Sequence, residues 1–331
     1  MATIKDVANL ARVSVATVSR VLNAPDTVKE STRIQVNSAI EELQYSPNLL
    51  GRNLRRLETR RILVLLDSIS NQFYSRVVRG IEDKAREHDF TVMICTVRDS
   101  KKHFMDHMKM LKTRTVDGAI IMCGEIAPEE LVKFNQSYPL VCACEPIPNT
   151  ELTSVSIDDY RAGLDATNYL IGLGKRRIAA LGTPRSDNDC GSAKLRFSGF
   201  CDAMAQHDLP VEPALIFDEG YTYNSGRRSI KRLLVQKSLP DAIFSFSDAG
   251  AIGAVRELGE HGIRVPDDIS VMGFDNTAIS EMYQPSITTV SQPQYEIGSK
   301  AMELLLNKIN GSPQEASVYL EHHIICRESV K

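Results

Sequence analysis

From Arg61 onward the chain switches repeatedly between short apolar runs and longer segments whose apolar residues stand three and four apart. Ile62–Leu66 is apolar without alternation, as a strand buried on both faces requires. Further strands are expected at Phe90–Thr96, Gly118–Met122, Leu140–Cys144, Ser154–Ile157, Ile178–Gly182, Leu215–Glu219, Ala242–Phe246 and Ile269–Phe274. The stretches between them read as helices: Phe73–His88, Lys101–Thr113, Pro128–Asn135, Tyr160–Ile171, Ser192–His207, Tyr223–Gln236 and Ala249–His261. Such alternation demands parallel sheets joined by right-handed crossovers. A break near Asp158 divides the candidates into two α/β lobes. The tail, with Thr288–Ser291, a helix over Tyr295–Asn310 and Ser317–Arg327, is expected to cross back through both.

A different grammar governs the first 46 residues. Thr3 is an N-cap type with Asp6 three residues on, where a carboxylate suits the positive end of a helix dipole. Ile4, Val7, Ala8 and Leu10 follow at helical spacing. Ser14 caps a second short helix with Val18, Val21 and Leu22 facing inward. Neither helix can bury a core alone, so a third, Glu30–Leu43, must pack across them through Ile34, Val36, Ala39, Ile40 and Leu43. The outward face of the second helix is then left with Val15, Ala16, Ser19 and Arg20. Small residues, hydroxyls (Thr17 among them) and an arginine at a helix N-terminus suit a DNA major groove. By spacing alone, a solvated polar face serves equally well.

The residues carry more than their spacing. Thr3-Ile4-Lys5-Asp6-Val7-Ala8, then Val13-Ser14, then Thr17-Val18-Ser19-Arg20-Val21-Leu22-Asn23 closely resembles the DNA-binding head of the LacI family of bacterial repressors. That resemblance puts Val15, Ala16 and Arg20 on base-reading positions, with Thr3, Ser14, Thr17, Ser19 and Asn23 among the DNA contacts. It also makes Asn48–Arg56, NLLGRNLRR, the hinge helix, with Asn48, Arg52 and Arg55 on DNA and Leu54 as the lever wedged into the minor groove. Gly51 stands where the family usually has alanine. A glycine costs about 1 kcal/mol of helix stability, so this hinge is expected to fold only on DNA. The resemblance continues through Val116-Asp117-Gly118, Gly174-Lys175-Arg176-Arg177-Ile178, Arg196-Phe197-Ser198-Gly199-Phe200, Phe246-Ser247-Asp248, Val265-Pro266-Asp267-Asp268-Ile269-Ser270, Gly273-Phe274-Asp275-Asn276 and Ile287-Thr288-Thr289-Val290. It implies a two-lobed periplasmic-binding-protein type of core that holds a small molecule between its lobes.

Charge is consistent with this division. Of 39 Lys+Arg and 42 Asp+Glu, ten and six fall within residues 1–61, leaving a head of +4 on a body of −7. A basic module on an acidic body fits a polyanion-binding end attached to a sensing domain. No apolar run of eighteen residues occurs, and the N-terminus lacks a signal-peptide core, so a cytoplasmic protein without a membrane span is expected. Seven cysteines, most in strand-like runs, read as reduced core thiols, and Cys142-Ala143-Cys144 has neither redox nor zinc spacing.

Ligands of such folds sit at the carboxyl ends of the strands. The loops there are Asp67–Tyr74, Cys144–Ile147, Thr183–Arg196, Gly220–Tyr223, Ser247–Ala249 and Phe274–Thr277. They contain no GxGxxG, Walker or GxSxG motif. His103 and His107 lack a third ligand, and His322-His323 alternate on a strand. No catalytic residue, metal or cofactor is expected. What the loops do hold is Asn71, Phe73, Tyr74, Asp158, Arg196, Tyr221, Asp248 and Asp275: forks, amides and rings suited to reading hydroxyls and a planar or sugar face. Cys190 and Ser192 are further pocket candidates. Gly51-Arg52-Asn53 and Gln292–Gly298 look most like the family's cytidine-responsive branch, yet neither is expected to line the pocket.

The organisation expected is a helix-turn-helix domain at 1–46 and a hinge at 47–60. The N-terminal lobe takes 61–158 with 290–316, and the C-terminal lobe 159–289 with 317–331. The function implied is a homodimeric regulator, a repressor by type, that binds a pseudo-palindromic operator under control of a sugar or nucleoside effector. The dimer is expected because no leucine heptad follows the last strand. A solute-binding protein or an α/β enzyme on the same core is the alternative. The basic head opposes the first, and the absence of a nucleophile, phosphate loop or metal cluster opposes the second.

Overall fold

A computed structural model describes residues 2–45, 58–97, 100–123, 127–147, 151–184, 191–236, 238–312 and 317–331, with only the backbone at Asn23. It separates into two compact units, Met1–Glu58 and Thr59–Lys331.

The small unit holds three helices, α1 (Ile4–Leu10), α2 (Val15–Asn23) and α3 (Glu30–Glu42). Thr3 opens α1 with a capping box: its Oγ1 accepts from the Asp6 amide, and the Asp6 carboxylate accepts from the Thr3 amide at 2.8 Å. Ser14 caps α2 by accepting from the Thr17 amide at 3.1 Å. Val7, Ala8, Ala11, Val18, Val21, Val36 and Ala39 form the core. Two expected core positions face out instead: Ile34 is 63% exposed and Leu10 42%. Ile34 lies two residues from the buried Val36, about 200° away around a helix, so the two cannot share a face. Ala11, four residues beyond Val7, takes the place assigned to Leu10.

The large unit alternates β1 (Arg61–Leu66), α4 (Gln72–Glu87), β2 (Thr91–Thr96), α5 (Lys101–Lys112), β3 (Gly118–Met122), α6 (Pro128–Asn135), β4 (Leu140–Ala143) and β5 (Ser154–Ile157). Then come α7 (Asp159–Gly172), β6 (Ile178–Leu181), α8 (Ser192–Gln206), β7 (Ile216–Phe217), α9 (Tyr223–Leu233), β8 (Ala242–Ser245), α10 (Asp248–Glu260), β9 (Ser270–Asp275) and α11 (Ala278–Met282). The tail supplies β10 (Thr288–Ser291), α12 (Gln294–Ile309), β11 (Val318–Leu320) and β12 (His323–Ile325). One sheet runs β11-β5-β4-β3-β1-β2 and the other β12-β10-β9-β8-β6-β7, parallel throughout except for the β10–β12 pair. The tail divides differently from the expected 290–316 and 317–331. Val318–Leu320 pairs with Ser154–Ile157 in the first sheet, and Thr288–Ser291 lies wholly in the second. The chain therefore passes between lobes at 157–159, 291–294 and 320–323.

Helices pack in glycine-sealed pairs. A Cβ on Gly163 or Gly199 would strike backbone of the partner across α7 and α8; Gly226 and Gly253 do the same for α9 and α10, and Gly80 and Gly298 for α4 and α12. Such close approach lets each pair of helices pack backbone to backbone.

Candidate nucleic-acid interface and inter-lobe cleft

The exposed part of α2 begins at its N-terminus. Val15 is 40% exposed, Ala16 and Arg20 are exposed, and Thr17 and Ser19 are half-buried. Thr3 and Ser14 are exposed at the starts of their helices, with Ser14 Oγ 2.9 Å from Thr17 Oγ1. A protruding helix N-terminus edged by hydroxyls and one arginine offers donors to phosphates and a fork to a guanine edge. The Asn23 side chain and the hinge residues Asn48, Gly51, Arg52, Leu54 and Arg55 lie outside the described residues, as does Cys190.

In the large unit the carboxyl ends of β1, β4, β5, β6, β8 and β9 converge on the crevice. Its centre is Arg196 on α8, 6% exposed. The guanidinium lies 3.7 Å over the Phe274 ring, donates from Nε to Asp159 at 2.7 Å and from Nη1 to the Phe246 carbonyl at 2.9 Å. Burial opposes its charge, but Asp159 and Asp275 outweigh that and raise its pKa. The carboxyls beside it are also raised, which for them disfavours the charged form. Burial raises Asp159, with Arg196 opposing, and it raises Asp275 well up despite Arg196 and Gln292. Among the described residues, Asp159 Oδ2, Ser156 Oγ and Thr183 Oγ1 are buried and find no hydrogen-bond partner.

Across the cleft, Glu145 follows β4 of the first lobe and accepts from the Ser192 amide at 2.9 Å and its hydroxyl at 3.1 Å, at the start of α8. Burial raises the Glu145 pKa, and the two Ser192 donors pull it back. Aromatic walls complete the site. Phe73 and Tyr74 meet edge to face at 5.5 Å, and Tyr221 covers Gly182, whose φ of +81° suits glycine. Burial, aided by Asp67, raises the Tyr74 phenol well above its ordinary pKa.

Several expectations change here. Asp158 is exposed and caps α7 by accepting from the Arg161 amide at 2.9 Å; its neighbour Asp159 is the buried partner of Arg196. Asp248 is fully buried within its own lobe. Its carboxylate accepts from the Thr277 amide, the Thr277 hydroxyl and the Thr289 hydroxyl, fastening the turn after β9. Asn71 is an exposed cap that accepts from the Phe73 amide at 3.0 Å. Gln292 and Gln294, expected away from the pocket, are buried and donate to Asp275: Gln292 to Oδ1 at 2.8 Å and Gln294 to the backbone carbonyl. The middle lobe crossing therefore grips Asp275. Among the described residues, no group of histidines, cysteines and carboxylates could hold a metal, and no helix is long and apolar enough to cross a membrane.

A helical DNA-reading head joined to a two-lobed, cleft-bearing α/β core defines a class of ligand-responsive DNA-binding regulators. Residues 3–48 match the family model for bacterial regulatory proteins of the lacI family, and 167–330 the periplasmic binding protein-like domain. The chain is 36% identical to the HTH-type transcriptional repressor CytR of Escherichia coli over 94% of its own length and 90% of that protein's. It is 38% identical to the transcriptional regulator RegA of Clostridium acetobutylicum over 100% and 99%. The lac repressor dimer bound to operator superposes with a TM-score of 0.90 at 26% identity, covering 99% of this chain and 98% of that one. The protein belongs to the LacI family. It is a DNA-binding transcriptional regulator.

Proposed function

We propose that the protein is a repressor whose operator affinity is set by a small polar effector bound between the lobes. The observation that carries this reading is the Arg196–Asp159–Phe274–Asp275 cluster, a cation, two carboxyls and a ring gathered where two of the lobe crossings begin or end. Hydroxyl-rich rings satisfy such a site: donors meet Asp275 and Glu145, acceptors meet Arg196, and flat faces meet Tyr74 and Tyr221. A structurally similar relative supports the class, since the transcriptional regulator CelR is known in complex with cellobiose. Sugars and nucleosides are therefore the candidates.

Two copies side by side read a pseudo-palindromic operator through Val15, Ala16 and Arg20, positioned by Thr3, Ser14, Thr17, Ser19 and Asn23. Asn48, Arg52, Leu54 and Arg55 complete the DNA contacts. Ile94 on edge strand β2, with Ile279 and Met282 on α11, is 47%, 39% and 82% exposed, apolar surface that a dimer would cover. The protein works in the cytoplasm. A ligand shifts operator affinity only by binding one lobe arrangement better than the other. The test is a thermal-shift panel of hexoses, disaccharides, nucleosides and nucleobases, each hit then added to an operator titration. A hit that stabilises the core yet leaves operator affinity unchanged would refute control by that site.

A further inference from the structure

The core begins with an arrangement that neither the cleft nor the head explains. Asp117, in the turn before β3, gives its whole carboxylate to the residues through which the chain enters the core. Its Oδ1 accepts from the Thr59 amide at 2.8 Å and the Thr59 hydroxyl at 2.9 Å; its Oδ2 accepts from the Arg60 amide at 2.7 Å. The ladder closes with the Asp117 amide donating to the Arg61 carbonyl at 2.8 Å and the Arg61 amide donating to Thr59 Oγ1 at 3.3 Å. Arg60 is held from the opposite side as well. Its guanidinium lies 5.1 Å over the Phe90 ring and donates to the His88 carbonyl at 3.1 Å.

Arg60 has φ of +56°, a left-handed conformation that costs a non-glycine residue free energy and persists only where its surroundings enforce it. Here the enforcement comes from both flanks of β1, the α5–β3 turn on one side and the α4–β2 turn on the other. A surface loop needs no such double fixing. Thr59 is the first residue of the large unit, and the segment that matches the DNA-binding family model, residues 3–48, precedes it in the chain.

We propose that Asp117 is a positioning residue for operator recognition: by clamping Thr59 and Arg60 it sets the direction in which the DNA-binding segment leaves the core. Operator recognition by two linked heads requires that each segment starts from a defined place. Charge-driven binding to random DNA does not, because phosphates offer no register. The clamp therefore acts on specificity and leaves non-specific affinity alone.

The experiment uses the full chain and, as operator probe, the tightest duplex that the wild-type protein selects from a randomised pool, against a scrambled duplex of equal length. Asp117→Asn places an NH2 against amide donors and should weaken operator binding about tenfold, the equivalent of one hydrogen bond to a charged acceptor, with random-DNA affinity within about twofold. Arg60→Gly keeps φ of +56° without strain but frees the exit, so it guards against an unfolded Asp117 variant and should show the same loss of selectivity. Thr59→Ser retains both donors and should behave as wild type. Wild-type selectivity in Asp117→Asn and Arg60→Gly, whatever their melting temperatures, would reduce the clamp to a stability feature and overturn the proposal. Equal losses on both duplexes would overturn it too, by placing the damage in the head.

Discussion

Arg196 offers the sharpest test of how the cleft is built. The guanidinium is buried, paired with an Asp159 side chain that is itself 1% exposed, and stacked on Phe274. Replacing it with methionine keeps much of the volume and the contact with the ring but strands the Asp159 carboxylate. Removing one partner of a buried pair costs roughly 3–5 kcal/mol, because the remaining charge has lost both water and its counter-charge. For a domain of this size each kcal/mol lowers the melting temperature by about 2–4 °C, so Arg196→Met should melt about 6–20 °C below wild type. Asp159→Asn should cost a similar amount. In the double variant neither partner of this pair is left unmatched, so its loss should fall short of the summed single losses by at least about 1 kcal/mol. Urea unfolding of the four proteins measures the cycle. Additive losses, or an Arg196→Met cost under about 1 kcal/mol, would show that water screens the pair and that burial does not set its energy.

The remaining expectations are narrower. Operator affinity should fall steeply with salt, with a log–log slope on the order of −5 or beyond for a dimer, measured by anisotropy; a slope near zero would rule out phosphate-dominated binding. Asp275→Asn should abolish the operator's response to effector without weakening effector-free operator binding, and an unaltered response would remove Asp275 from the pocket. Burial raises Asp248 from the usual 3.8 to about 6, so the native state binds its proton more tightly than the unfolded chain. Stability from this group is thus gained as pH falls through about 6 toward 4, and is absent above it; melting curves should rise between pH 7 and 5, and Asp248→Asn should flatten that rise. Gly163→Ala drives a Cβ into the Arg196 backbone and should cost more than about 2 kcal/mol, since only movement of α7 from α8 relieves the clash.

The two-lobed α/β architecture was legible because parallel strands buried on both faces are written as unbroken apolar runs, and crossover helices as 3.6-residue periods. Both are local signals. The pairing of Val318–Leu320 was not legible, because three residues carry no period and only the sheet edge at Ser154–Ile157 decides where they go. Side-chain partners are less local still. The Asp158-Asp159 doublet illustrates the boundary: one carboxylate caps a helix, the other enters the interior, and either could face a ligand. Capping arithmetic would have separated them, since an N-cap accepts from the amide two or three residues on, and Asp158 stands three before Arg161. With Asp158 committed to the cap, Asp159 begins the first turn of α7 and is free to point inward toward Arg196. No comparable rule identifies Gln292 and Gln294. Their role depends on the chain recrossing between lobes beside β9, so a polar pair that reads as solvated linker becomes the buried grip on Asp275. Asp275 and the lobe crossing are thereby one hydrogen-bonded unit, and a ligand that competed for Asp275 would act directly on a segment that must move when the lobes do.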